Sequence, residues 1–285
     1  MIEARAGAEL FDWRDRVAEL LKLQGFHKEA DRWSKCHKDS VRLHCDCCGL
    51  EVVLPYRCEL RICEHCAARQ RARLFRQYRS LGYFVKLRGG HRFRLLTLTL
   101  PYDQNNPIAD LDQRVDRLLK YARQLFRAVW GRRNDFNGAI GCIEINTISG
   151  YVHLHCLIYG YWVNQKVLSC FWKAITNESE IVYIQAVKGK VADAIREIIK
   201  YISKVPRGRS PEMTVAIFKA LRGRRRVFTL GSFYNFCKDP GTPADLKSCV
   251  RCGSRLTWEV ESGGWLLWRW NYDARHNLSL WFDSS

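Results

Sequence analysis

The chain has 285 residues, and its 47 lysines and arginines against 29 aspartates and glutamates give a formal net charge of +18. So basic a composition is typical of proteins that bind phosphate polyanions, and it predicts a nucleic-acid partner. No stretch holds about 18 uninterrupted apolar residues and the first residues lack the apolar core of a secretory signal, so we expect no membrane partner and a cytoplasmic location.

The N-terminal segment is predicted to be helical. Leu10, Val17, Leu20 and Leu21 recur at helical spacing within residues 8–33. We therefore expect a helical cap over residues 1–35.

A zinc-binding lobe is predicted over residues 36–80. In a reducing compartment, cysteine pairs are more often metal ligands than disulfides. Two Cys-x₂-Cys knuckles, Cys45–Cys48 and Cys63–Cys66, are separated by 14 residues, close to a zinc-ribbon spacing. The spacing predicts that these four thiolates bind one structural Zn²⁺ in a tetrahedron. The alternative ligands are Cys36, Cys47, Cys58 and His65.

The central part of the chain, residues 85–205, alternates between strand and helix patterns. Strand patterns cover residues 92–100, 140–146 and 151–159, with 181–187 as a candidate addition, and helical patterns cover 110–130 and 190–204. The order of strands, helix, hairpin and helix predicts an α+β fold.

Two histidines lie one residue apart in the third of these strands. His153 and His155 share one face, because successive side chains of a strand alternate. Residues 147–150 are short and turn-like, and a hairpin closed there with Asn146 opposite Tyr151 places Glu144 opposite His153. Two imidazoles and a carboxylate with open coordination positions form a candidate site for a divalent metal.

The helix predicted over residues 190–204 has two different faces. Isoleucines form an apolar stripe, while Glu197, Tyr201 and Lys204 line up on the other side. A carboxylate, a phenol and an ammonium group therefore share one helix face. Tyr201 is a candidate nucleophile, and Glu197 and Lys204 are candidate assisting groups.

Residues 206–285 are predicted to form a small basic and aromatic lobe. A third knuckle, Cys249–Cys252, together with Cys237, offers three thiolates for a possible second zinc, with His276 as a distant fourth ligand.

Basic runs along the chain are candidate DNA contacts. Such a run is also common on a solvated surface that binds nothing. Several runs close to a predicted nuclease core favour DNA binding. The candidate residues are Arg69, Arg71, Arg73, Arg132, Arg133, Arg224, Arg225 and Arg226.

Three of these elements, in order, resemble the HUH endonucleases. These are the strand at residues 94–101, His153-Leu154-His155, and Tyr201-Ile-Ser-Lys204. Glu197, four residues before the tyrosine, resembles the arrangement in single-tyrosine initiators of small rolling-circle plasmids. The segment 223–231 and the cysteine-rich lead-in before residue 71 are also similar to segments of such proteins.

The resemblance implies a fold, an activity and cofactors. It implies an antiparallel sheet with flanking helices, similar to an RNA-recognition-motif palm, over residues 85–205. Tyr201 would nick the replication origin by attack on a DNA phosphate, giving a 5′-phosphotyrosine and a free 3′-hydroxyl primer. It implies Mg²⁺ or Mn²⁺ on His153, His155 and Glu144, although the ligands alone equally allow zinc or iron.

The same resemblance implies roles and partners. Lys204 would add positive charge near the phosphate, and Glu197 would activate water in a second cleavage that terminates replication. A host helicase and polymerase would be partners. Two alternatives stay open: a single-strand transposase with the same active face, and a non-catalytic zinc-ribbon protein that binds single-stranded nucleic acid.

Overall fold

The computed structural model describes residues 2–79, 81, 92–101, 105–131, 136–188, 190–202, 210–225, 227–234 and 248–264. The fold is α+β with two antiparallel sheets, in agreement with the predicted class. The described residues form these helices: α1 (Ile2–Leu23), α2 (His27–Lys35), α3 (Glu64–Tyr78), α4 (Leu111–Trp130), α5 (Gln165–Thr176), α6 (Val191–Ile202) and α7 (Pro211–Leu221). The strands are β1 (Ser40–His44), β2 (Glu51–Pro55), β3 (Arg92–Thr99), β4 (Phe136–Ile145), β5 (Val152–Gly160), β6 (Val182–Ala186), β7 (Val227–Gly231) and β8 (Thr257–Glu261).

The chain divides into two compact units. One comprises Met1–Cys66 together with Gly241–Ser285, and the other comprises Ala67–Pro240. This division differs from the four consecutive parts expected from the sequence. The predicted cap, most of the zinc lobe and the C-terminal knuckle belong to a single unit, because residues far apart in sequence pair within it.

The first unit contains a three-stranded sheet with the order β2-β1-β8. Strand β1 pairs with β2 along a hairpin and with β8 from the far end of the chain, where Ser40 lies opposite Glu261. The segment predicted as a helical cap over residues 1–35 contains two helices, α1 and α2. They are separated at Gly25, whose φ of +82° is the left-handed conformation that glycine adopts readily.

The second unit contains a five-stranded sheet with the order β6-β3-β5-β4-β7. Strands β3, β4, β5 and β6 lie where the sequence predicts them, whereas β7 was not predicted. Helix α6 packs its isoleucine stripe on one face of this sheet, in a buried cluster with Cys142, Leu157 and Tyr159. That face also carries His153 and His155, because residues two apart on a strand share a face.

Helix α4 lies on the opposite face of the same sheet. Val227 of β7 packs into the α6 cluster, so its neighbour Phe228 must point to the other face. Phe228 and helix α4 line the same groove there. The sheet therefore separates α4 from α6.

Arg114 of α4 is a buried cation. It is 6 % exposed and donates hydrogen bonds to the backbone carbonyls of Pro107, Ala109 and Gly150. Gly150 ends the turn between β4 and β5, so Arg114 anchors the hairpin that carries the predicted metal ligands. The spacing of apolar residues alone gave no sign of this role.

Candidate functional site

The register between strands brings the predicted ligands together on one face. Glu144 of β4 lies opposite His153 of β5, as the sequence predicts, and the Asn146 amide donates to the Tyr151 carbonyl at 2.7 Å. On the other side of β5, Thr99 lies opposite His153 and Thr97 opposite His155. The histidine strand is thus flanked by a carboxylate on one side and by two hydroxyls on the other.

Each histidine is oriented through its Nδ1 atom. The distances from Thr97 Oγ1 to His155 Nδ1 and from Thr99 Oγ1 to His153 Nδ1 are both 3.0 Å. Hydrogen bonds of this kind fix the ring orientation and direct Nε2 toward a ligand, as is typical around metal-binding histidines. Sequence reasoning missed both threonines, although the Thr97-Leu98-Thr99 alternation in β3 was available as a signal.

Glu144 is held close to His155. Its Oε2 lies 2.7 Å from His155 Nε2, and the carboxylate is 5 % exposed. A buried carboxylate is costly unless paired, and the imidazole supplies the partner. Among the described residues, only cysteines bring three or more ligand atoms within 4.8 Å of one another. Glu144, His153 and His155 therefore lie together on one face without the close grouping of a preformed metal cage.

Tyr201 lies directly on this face. Its ring stacks on the His155 imidazole, with the centroids 3.9 Å apart and the planes at 11°. Helix α6 is tied to β4 because the Cys142 thiol donates to the Ile198 carbonyl at 3.2 Å. The predicted nucleophile and the predicted metal ligands, separated by 46 to 57 residues of sequence, thus lie together on one sheet face.

Glu197 contacts the predicted nucleophile, Tyr201. The Tyr201 hydroxyl donates to Glu197 Oε1 at 3.0 Å, and Lys200 Nζ lies 3.4 Å from the same oxygen. Burial, followed by the hydrogen bond and the negative charge of Glu197, raises the pKa of Tyr201 to about 12. Lys204 lies outside the described residues, and Lys200 is the lysine that reaches Glu197.

The pKa of Tyr201 offers a direct test of this contact. We expect Glu197→Gln to lower that pKa toward the ordinary phenol value of about 10, because the charge that disfavours phenolate is removed. The measurement is the phenolate absorbance of the variant during alkaline titration, after subtraction of the same titration in a Tyr201→Phe background. An unchanged pKa would mean that burial alone sets it.

The same pKa has a consequence for stability. The neutral phenol favours the folded state at pH below about 10, and this contribution disappears as pH rises through about 12. The Tyr201→Phe protein should therefore lose less stability than the unsubstituted protein over that alkaline interval.

The cysteines form two tetrads, and neither is the predicted one. Cys36, Cys58, Cys63 and Cys66 make one group, and Cys45, Cys48, Cys249 and Cys252 make the other. The prediction joined Cys45 and Cys48 to Cys63 and Cys66, and this grouping is wrong. The β1–β2 hairpin carries the Cys45–Cys48 knuckle, and pairing of β1 with β8 brings the distant C-terminal knuckle to it.

The sulfur distances suit a metal. Sγ–Sγ separations are 3.6 and 3.7 Å in the first tetrad, and 3.5 Å for Cys45–Cys252 and Cys48–Cys249 in the second. A tetrahedral zinc with Zn–S bonds of about 2.3 Å places its sulfurs about 3.8 Å apart, whereas a disulfide needs about 2.05 Å. Both tetrads can thus hold a metal such as zinc.

The two tetrads differ in exposure. All four cysteines of the first are buried, whereas Cys48 and Cys252 of the second are exposed. The predicted third ligand of a C-terminal site, Cys237, lies outside the described residues, as does His276. Cys47 and His65, which were predicted alternates, belong to neither tetrad.

The structure describes five of the eight predicted DNA-binding arginines. Arg69, Arg71 and Arg73 lie exposed on α3, and Arg225 is exposed before β7. Arg224 instead donates two hydrogen bonds to the Asp116 carboxylate, from Nε at 2.7 Å and from Nη2 at 2.6 Å. Arg132, Arg133 and Arg226 lie outside the described residues.

Comparison of the chain with protein-family models, curated proteins and solved structures gave no match. Within the part of the chain that the structure describes, no helix is long and apolar enough to cross a bilayer.

Proposed function

We propose that the protein is a metal-dependent DNA nickase and strand-transferase that initiates rolling-circle replication, with Tyr201 as nucleophile. The observation that carries this proposal is the stacking of Tyr201 on His155, with its hydroxyl on Glu197 and with Glu144 and His153 on the same sheet face. A phenol, a carboxylate that accepts its proton and a histidine–carboxylate group are the parts that tyrosine attack on a phosphodiester requires.

The chemical step follows from these contacts. The Tyr201 oxygen attacks the phosphorus while its proton passes to Glu197 Oε1. The bond from phosphorus to the 3′ oxygen breaks, and the departing 3′ oxygen takes up a proton from solvent. The products are a 5′-phosphotyrosine and a strand that ends in a 3′-hydroxyl, which a polymerase can extend. Because the pKa of Tyr201 is raised to about 12, the phenol is protonated at neutral pH, and a base in contact with it lowers the barrier.

The metal ligands would be His153, His155 and Glu144. The resemblance to HUH endonucleases implies Mg²⁺ or Mn²⁺ at these residues, and the donor set itself equally allows zinc or iron. The threonine hydroxyls on both Nδ1 atoms support this use, because they leave Nε2 as the coordinating atom. A divalent ion on these residues would polarise the scissile phosphate and offset charge that develops on it.

Glu197 is also suited to a second cleavage. Once Tyr201 is esterified and Glu197 has released the accepted proton to solvent, the Glu197 carboxylate becomes available to activate a water. This would end a replication round without a second tyrosine. Between the two cleavages a host helicase and polymerase would act on the 3′-hydroxyl primer. Lys204 would add positive charge close to the phosphate.

We infer that each cysteine tetrad holds a structural Zn²⁺. The sulfur separations and the burial of the first tetrad support this inference. Zinc would stabilise the first unit and would take no part in the chemistry of Tyr201.

The test is covalent capture of DNA. The whole protein is incubated with Mg²⁺ or Mn²⁺ and a randomised pool of labelled single-stranded oligonucleotides, and denaturing electrophoresis detects protein that carries DNA. We expect an adduct whose peptide mass maps to Tyr201, together with released strands that end in a 3′-hydroxyl. An adduct on another tyrosine, or no adduct with the pool or with supercoiled DNA of the parent replicon, would overturn the proposal. A single-strand transposase would give the same adduct, and only the identity of the cleaved sequence separates it from an initiator.

A further inference from the structure

A basic groove lies on the sheet face opposite to Tyr201. It has a volume of about 1190 Å³ and runs between the polar side of α4, residues 223–225 and strand β7. The Tyr201 site lies on the α6 side of the sheet, so the groove is a separate surface and is not an extension of the proposed active site.

Glycine and an ion pair shape the groove. Gly141 of β4 lies opposite Phe228 of β7, and a Cβ there would come within 2.3 Å of the phenylalanine ring. The missing side chain lets the Phe228 ring lie flat on the sheet as part of the floor. The Arg224–Asp116 pair joins the segment before β7 to α4, and Arg224 also donates to the Ala220 carbonyl at 2.7 Å.

The charged side chains that line the groove are mostly cations. Lys120, Arg123 and Arg127 are exposed on α4 at a spacing of three and four residues, so they form one stripe about 10 Å long. Arg225 is exposed on the opposite wall. Among the lining residues, Asp116 is the carboxylate, and it is already bonded to Arg224. The stripe therefore attracts an anion with several charges.

The floor between these cations is apolar. It includes Phe228, Leu230 and Leu119, all partly exposed. A groove with cations along its walls and an aromatic ring at its base is typical of surfaces that hold single-stranded nucleic acid, where the cations follow the phosphates and a base stacks on the ring. A duplex keeps its bases paired inside, so an apolar floor gives it no comparable gain.

We propose that this groove binds a single strand of nucleic acid, with the backbone along Lys120, Arg123 and Arg127 and a base against Phe228. The surface is independent of the Tyr201 site, so one molecule can hold a strand there while another DNA segment occupies the opposite face. The proposal needs no cleavage chemistry, and it stands or falls separately from the proposed function.

The experiment measures binding of fluorescent oligothymidylate by the Tyr201→Phe protein, a background that excludes covalent capture. Arg123→Gln with Arg127→Gln should weaken binding at least tenfold at moderate salt, and should make the log–log salt dependence shallower by about 1.4 if each arginine contacts one phosphate of a single strand. Phe228→Leu should weaken binding and leave the salt dependence unchanged, because it removes stacking but no charge.

Lys166→Gln with Lys173→Gln provides the matched control, since both lysines are exposed cations on α5 outside the groove. The control should bind as the parent does. Unchanged affinity and salt dependence in the arginine variant would overturn the proposal, and so would an equal loss in the lysine control. A loss seen with duplex DNA but not with oligothymidylate would overturn the assignment to a single strand. Any of these results leaves the covalent capture assay, and hence the proposed function, unaffected.

Discussion

Replacing His153 and His155 together by alanine should lower DNA cleavage by at least about a thousandfold. The two imidazoles are the nitrogen ligands of the proposed metal, and an ion that polarises the phosphate supplies several kcal/mol of transition-state stabilisation. Loss of His155 also removes the ring on which Tyr201 stacks and the partner of the buried Glu144. The measurement is adduct formation under single-turnover conditions over a range of Mg²⁺ and Mn²⁺ concentrations.

Binding separates a chemical role from a structural one. Because the proposed phosphate contacts lie on the basic surfaces and not at these histidines, the double variant should bind oligothymidylate within about threefold of the parent. Thr97→Val and Thr99→Val are milder variants of the same proposed site. They keep the ligands and remove only the Nδ1 partners, so we expect them to require more metal by about 10- to 100-fold. Normal cleavage by the double histidine variant would exclude these residues as metal ligands.

Contacts within the candidate site could be predicted from the sequence where the two residues belong to the same hairpin or the same helix. A hairpin of fixed loop length sets its own register, so the pairing of Glu144 with His153 followed from the turn at residues 147–150. Helical periodicity likewise put Glu197 and Tyr201 on one face, where they form a hydrogen bond. Both relations depend on neighbours in sequence, and a single chain suffices to infer them.

Relations between distant segments could not be predicted in this way. Thr97 and Thr99 reach the histidines only through the pairing of β3 with β5, and nothing local specifies that register. The wrong grouping of the cysteine ligands in the prediction has the same cause. All three Cys-x₂-Cys knuckles have the same spacing, so the sequence does not show which two share a metal. The pairing of β1 with β8 brings Cys249–Cys252 to Cys45–Cys48. Strand β7 was missed because its place at the sheet edge depends on Gly141 making room for Phe228.

The buried tetrad should be essential for folding of the first unit. Structural zinc binding contributes about 10 to 16 kcal/mol in small zinc domains, which is comparable to the whole stability of about 5 to 15 kcal/mol of an ordinary domain. Cys63→Ser together with Cys66→Ser should therefore unfold this unit and lower bound zinc from two ions per chain to about one. Elemental analysis gives the zinc content, and circular dichroism during heating gives the stability.

The second tetrad supplies the contrast that tests the grouping. Cys252→Ser should also remove one zinc, although it lies far in sequence from the N-terminal knuckles, because it completes the site with Cys45 and Cys48. Cys47→Ser is the matched control: it changes an exposed cysteine adjacent to Cys48 that belongs to neither tetrad. We expect the control to keep both zinc ions and its melting temperature. Two zinc ions in the Cys252 variant, or loss of one in the Cys47 variant, would show that the ligands are grouped differently, and a fully metal-free protein of unchanged stability would exclude zinc from both tetrads.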